Sequence, residues 1–228
     1  EFTLECVTKL FELGCRLVIL ACNTASAKAL RNIQQNDIPT IAPDRRVLGI
    51  IRPTAECLGD ITKTRHVGLL ATPGTVKSMS YPLEIKKLFP EIKVVGEACP
   101  IWVPLVENNE LNSVGTDYFV KRHVENLLAK DDKIDTIILG CTHYPLLYDT
   151  IRKYVPDNIE VVVQGEYVAT SLRSYLDRHP AMDAKCTKNG NCKYLTTEDI
   201  NIFLPAASIF LHESINAETI SLQDIIDR

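Results

Sequence analysis

The chain lacks several features that mark common protein classes. No apolar run among its 228 residues approaches the roughly 20 needed to cross a bilayer as a helix. No basic stripe is present and net charge is −4, which excludes a phosphate-neutralising surface for nucleic acid. The first residues, 1 to 14, include acids and no secretory pattern. No Cys-x-x-Cys occurs, so the usual thiol-redox motif is missing. Cys186 and Cys192 bracket five residues with His179 upstream, a spacing that matches no common zinc motif.

Cysteine itself is plentiful. Eight are present: Cys6, Cys15, Cys22, Cys57, Cys99, Cys141, Cys186 and Cys192. Disulfide-stapled secreted proteins are usually small and loop-rich. This chain instead carries long aliphatic segments able to build a core. The expectation is a reducing, cytoplasmic setting in which most cysteines pack as small apolar side chains.

Apolar periodicity outlines the organisation. Phe2, Cys6, Leu10 and Leu13 recur at helical spacing, and Gly14 suits a C-cap. Leu17 to Ala21 reads as a buried strand, with Asn23 or Thr24 capping a helix that runs on through Ala27 and Leu30. Further strands are predicted at Val47 to Ile51, Val67 to Ala71, Lys93 to Ala98, Thr136 to Gly140 and Ile159 to Val163. Helices are predicted from about Val76, then at Tyr118 to Leu128, Pro145 to Tyr154, Tyr167 to Leu176 and Ile200 to Leu211. The stretch from about Ala181 reads as less regular. Apolar strands alternating with helices imply an α/β fold with parallel sheets covered on both faces.

One internal echo points to chemistry. Val18-Ile19-Leu20-Ala21-Cys22 parallels Ile137-Ile138-Leu139-Gly140-Cys141. Each is an aliphatic strand, a small residue, a cysteine and a polar helix entry. Ligands of open α/β sheets bind beyond the carboxyl ends of strands, where both cysteines are expected. A helix N-terminus favours thiolate, and the small residue allows close approach of a ligand. Two thiols on facing lobes would address one carbon from opposite sides, as stereoinversion requires. Asn23, Thr24, Thr72, Thr75 and Thr142 stand at strand-to-helix junctions as candidate donors, and His143 as a proton-exchanging neighbour of Cys141.

Four segments together carry a resemblance. Ala21-Cys22-Asn23-Thr24-Ala25-Ser26, Ala71-Thr72-Pro73-Gly74-Thr75-Val76-Lys77-Ser78, Cys99-Pro100-Ile101-Trp102-Val103-Pro104-Leu105-Val106-Glu107 and Leu139-Gly140-Cys141-Thr142-His143-Tyr144-Pro145-Leu146 stand in that order. Over roughly residues 14 to 176 the chain resembles the glutamate racemases of the aspartate/glutamate racemase family. The resemblance implies two pseudo-symmetric α/β lobes, each with a mainly parallel sheet flanked by helices, and an active site in the cleft. Lobe one would take residues 1–44 and 164–228, and lobe two residues 45–163. Cys22 and Cys141 would be the catalytic acid/bases, helped by His143 and Glu107. Asn23, Thr24, Thr72, Thr75, Thr142 and His143 would bind glutamate. No cofactor, pyridoxal phosphate or metal is implied. The product, D-glutamate, would supply bacterial peptidoglycan, and a homodimer is the family's default. Histidine at 143 is similar to the glutamate-specific branch, since aspartate racemases commonly carry an acid there.

The sequence departs from the family at its start. The family's opening strand, its Asp-Ser-Gly segment and a later Tyr-Gly motif have no counterpart before the Cys22 strand. The resemblance therefore implies an N-terminally shortened chain, missing a substrate-binding Ser and an Asp that assists the first cysteine, and impaired or inactive in turnover. Two other readings stand beside it: a racemase or lyase of the same superfamily acting on another small acid such as aspartate, and a non-catalytic two-lobed binding module.

Overall fold

The computed structural model describes residues 1–222, and residues 223–228, the end of the expected lobe one, lie outside the described residues. The architecture is α/β, with parallel sheets flanked by helices. The opening helix, Phe2–Glu12, ends at Gly14, whose φ of 97° only glycine adopts cheaply. Its N–H bonds the Phe11 carbonyl and the Cys15 N–H bonds that of Leu10, the two hydrogen bonds of a Schellman cap.

That turn delivers the chain into β1, Leu17–Leu20, which pairs in parallel with β2, Arg46–Gly49. Val18, Leu20 and Val47 bury one face against Val7, Phe11, Ile33 and Ile38. One expectation changes here. The strand predicted over 47–51 stops at Gly49, and Ile51 opens the helix Ile51–Glu56. An unbroken apolar run carries no periodicity to separate the two. Strand β2, given to lobe two by a division at residue 45, is hydrogen-bonded to β1 of lobe one.

The second sheet has the order β4-β3-β5-β6, all parallel, from Lys93–Ala98, His66–Ala71, Thr136–Gly140 and Glu160–Val162. Alternate side chains of β3 and β5 enter separate cores. Leu70, Ile137 and Leu139 pack with Trp102, Val124, Leu127 and Tyr144. Leu69 and Ile138 pack with Ala55, Leu58, Tyr81 and Ile85. Burial on both faces explains why these strands read as continuous apolar runs. Each fully buried Leu or Ile contributes about 1.5–3 kcal/mol. At the amino ends, the Asp135 carboxylate accepts from the Thr62 hydroxyl at 2.6 Å and from the Lys63 and Thr64 N–H groups at 2.7 Å.

Smaller departures have local causes. The segment after Cys141 is a 3-10 turn, Tyr144–Leu147, followed by the helix Tyr148–Arg152, rather than one helix over 145–154. The helix expected from Val76 begins at Pro73, because the Thr72 hydroxyl accepts from the Thr75 N–H and caps it. The helix Gln164–Arg178 leads to a tail holding β7, Tyr194–Thr196, and β8, Ala217–Thr219, a parallel pair not legible in the sequence. The helix Ile200–Leu211 lies between them. Among the described residues no helix is long and apolar enough to cross a membrane.

Candidate active site

Cys22 follows β1 and stands immediately before the helix Asn23–Lys28, with its carbonyl accepting from the Ser26 N–H. Its thiol-bearing residue is exposed. Neither Asn23 nor Thr24 supplies the expected side-chain cap for this helix. Cys141 follows β5 and is buried. The two therefore stand at the carboxyl ends of strands from different sheets.

The surroundings of Cys141 are well defined. Its Sγ lies 3.9 Å from His143 Nδ1, and His143 Nε2 lies 3.1 Å from Glu107 Oε1. With Nε2–H donating to the carboxylate, Nδ1 is left as the acceptor that faces the thiol. Burial pushes the Cys141 thiol up to about 11, and the nearby charges of Cys22 and Glu107 push the same way. Hydrogen bonds from the backbone N–H groups of His143 and Tyr144 partly offset this. Burial and these charges therefore favour the protonated form of Cys141.

Aromatic packing holds the loop that carries these groups. Tyr144 is fully buried, donates its hydroxyl to the Cys99 carbonyl at 3.0 Å and meets Trp102 edge-on, with ring centroids 4.7 Å apart. Trp102 opens the helix Trp102–Glu107, so this contact ties the helix bearing Glu107 to the loop bearing Cys141 and His143. Phe210 of the helix Ile200–Leu211 stands edge-on to His143 at 6.5 Å. Nothing in the irregular-looking tail announced that contact. Gly140 was expected to admit a ligand. Its need is internal, because a Cβ there would meet Leu69 Cδ1 at 2.7 Å and Ala71 Cβ at 3.1 Å.

The threonines converge from two separate strand-to-helix junctions. Thr24 Oγ1 lies 2.9 Å from Thr72 Oγ1 and 3.2 Å from Thr75 Oγ1. The two short helices that carry them pack so closely that a Cβ on Gly74 would meet Thr24 Cγ2 at 3.1 Å. Thr142 is exposed beside Cys141. Asn23 is only 2% exposed. Its amide donates to Gln164 Oε1 at 2.7 Å and accepts from the Tyr81 hydroxyl at 2.6 Å, so half of its hydrogen-bonding capacity is committed inside the protein. Sequence reasoning singled out neither Gln164 nor Tyr81. Among the described residues no group of three His, Cys, Asp or Glu side chains is gathered as a metal ion would require, and this covers His179, Cys186 and Cys192. A separate cleft of about 670 Å³, lined in part by Ile19, Leu30, Ile51 and Leu172, has neither cysteine in its wall.

Comparison with known proteins bears on the family and the fold. The family described as Asp/Glu/Hydantoin racemase matches residues 2–169. The glutamate racemase of Roseobacter denitrificans is 39% identical over 225 residues, which cover 94% of this chain and 80% of that protein. That of Listeria innocua is 37% identical over 214 residues, covering 93% and 76%. Among solved structures, glutamate racemase isoform RacE1 from Bacillus anthracis superposes with a TM-score of 0.86 at 30% identity, covering 97% of this chain and 79% of that one. The Francisella tularensis glutamate racemase in complex with D-glutamate gives 0.84 at 26% identity, covering 98% and 80%. On the strength of that family match and of relatives well above 30% identity, the chain belongs to the Asp/Glu/hydantoin racemase family.

Proposed function

We propose that this chain interconverts L- and D-glutamate by a two-base mechanism in which Cys22 and Cys141 act from opposite faces of the α-carbon. One observation carries the reading: two cysteines follow strands of different parallel sheets, and one of them stands beside the aligned His143 and Glu107 side chains. Glutamate is favoured over other small acids by the relatives named above, one of them solved with D-glutamate. The non-catalytic alternative leaves the Cys141–His143–Glu107 alignment without a purpose.

In one direction the Cys22 thiolate removes the α-proton. The resulting carbanion takes the proton of the Cys141 thiol on the opposite face. The reverse reaction begins with Cys141 as thiolate, and His143 Nδ1 is placed to receive its proton beforehand. Glu107 orients the ring. The α-proton is a very weak acid, so fixed donors must stabilise the charge that develops on the carboxylate. Thr24, Thr72 and Thr75 form one such donor group, joined by Thr142, the amide hydrogen that Asn23 retains and, once it holds the Cys141 proton, His143 Nδ1–H. The proposed setting is the cytoplasm of a bacterium, with D-glutamate passing to peptidoglycan and the enzyme a homodimer. The mechanism asks for no cofactor. Purified protein in deuterated water tests it: deuterium enters the α-position of L-glutamate without added cofactor. Exchange of aspartate in place of glutamate would reassign the substrate.

A further inference from the structure

Beneath the candidate site lies a polar network inside an otherwise apolar interior. Gln164, the first residue of the helix Gln164–Arg178, is its centre. Its Nε2 donates to the Thr54 hydroxyl at 2.7 Å and to the Tyr81 hydroxyl at 2.6 Å. Its Oε1 accepts from Asn23 Nδ2 at 2.7 Å. The Tyr81 hydroxyl in turn donates to Asn23 Oδ1 at 2.6 Å, and that of Thr54 to the Ile50 carbonyl at 2.8 Å. Asn23, Thr54, Tyr81 and Gln164 are all buried.

These partners come from different parts of the fold. Asn23 directly follows Cys22 at the end of β1, in the sheet built from β1 and β2. Thr54 and Tyr81 sit on helices whose neighbours Ala55 and Ile85 pack against the four-stranded sheet. Gln164 stands just after β6, at the far edge of that sheet. A primary amide is the side-chain group with two donors and an acceptor in one plane, which is what bridging three partners requires. The donor directions are fixed, since burial pushes the Tyr81 phenol upward and keeps it protonated. An interior amide left without partners is costly, so this arrangement is held as a unit.

We propose that Gln164 is a positioning residue for racemisation: by joining Asn23 to Thr54 and Tyr81, its amide fixes where Cys22 stands relative to Cys141. The inference rests on the two-cysteine reading above and adds to it a residue that touches neither thiol. Loss of the amide frees the turn after Cys22, which changes thiol placement more than substrate affinity.

The test uses the full chain with Gln164→Met, which keeps length and removes the amide, and Tyr81→Phe as a second variant that breaks the same network without the hydroxyl. Two readouts are taken on folded protein, verified by circular dichroism and melting. The first is alkylation of Cys22 by iodoacetamide, quantified peptide by peptide, with exposed Cys192 as internal reference. It needs no turnover. The Cys22 rate is expected to change at least threefold in both variants while that of Cys192 does not. The second is glutamate α-proton exchange, where kcat is expected to fall at least tenfold with KM changed less than threefold. The double variant is expected to lose no more than the worse single one. An unchanged Cys22 rate in both variants overturns the positioning role, whatever the activity. Absence of exchange in the unmodified protein, with the Cys22 rate still altered in the variants, overturns the glutamate reading and leaves the geometric claim standing.

Discussion

Cys141 and its two partners set the expectations at the level of single residues. A thiol pushed up to about 11 keeps its proton through neutral pH and loses it only as pH rises toward that value. As the proposed reaction needs one thiol and one thiolate together, kcat/KM is expected to fall on the alkaline side as pH approaches about 11. A pH profile on stable protein checks this, and a fall centred near 8.5, the ordinary thiol value, would contradict it. Glu107 is the milder case. It is more than half exposed, at 59% of its side chain, and exposed ion pairs contribute about 0–1 kcal/mol. Glu107→Gln should therefore lower kcat by no more than about fivefold, since 1.36 kcal/mol corresponds to tenfold. His143→Gln, which removes the acceptor facing the thiol, should cost more, on the order of 10²-fold, as general acid–base catalysis commonly does. Steady-state kinetics of the two variants would show the ranking.

Strands and turns carry a different kind of constraint. Gly140 ends β5 where a Cβ would press on Leu69 and Ala71 of β3. Gly140→Ala is expected to destabilise by about 1–3 kcal/mol through overpacking. At this chain length that is a fall in Tm of roughly 2–4 °C per kcal/mol, measurable by calorimetry. At the same scale the sequence is an uneven guide. The strands Lys93–Ala98 and Thr136–Gly140 are legible to the residue, the second because a parallel strand covered on both faces is an almost continuous apolar run. The helix Ile200–Leu211 is equally plain. The boundary after Gly49 is not, since Ile50 and Ile51 are as apolar in a helix as in a strand. The pair β7–β8 is too short, at three residues each, to print a period. Within the site, Cys22, Cys141 and the threonines are visible because each follows an apolar strand. Gln164 and Tyr81 are not, since their partner Asn23 lies 141 and 58 positions away and no local pattern records the pairing.

For the molecule as a whole, acid stability follows from the charges that tie the amino ends of the central strands together. Burial pulls Asp135 upward, but the Thr62 hydroxyl and the Thr64 and Lys63 N–H groups outweigh it and hold the carboxyl at about 2. Asp131, clamped by Lys93 Nζ at 2.7 Å and His66 Nδ1 at 2.9 Å, is lowered further. A depressed carboxylate stabilises the fold fully above its unfolded value near 4, and that contribution is lost as pH falls through the folded value. Tm should therefore drop between about pH 4 and pH 2, and the drop should be shallower in Asp135→Asn. Calorimetry across that window checks the sign.

All of this serves a single chemical claim, that two thiols from two sheets share one carbon. Incorporation of deuterium at the α-position of L-glutamate, followed by proton NMR without added cofactor, tests it most directly, because exchange reports the chemistry even where net turnover is slow. The account predicts exchange in the unmodified chain and a loss of at least about 10²-fold in both Cys22→Ala and Cys141→Ala. Exchange that survives either substitution at the original rate would contradict it.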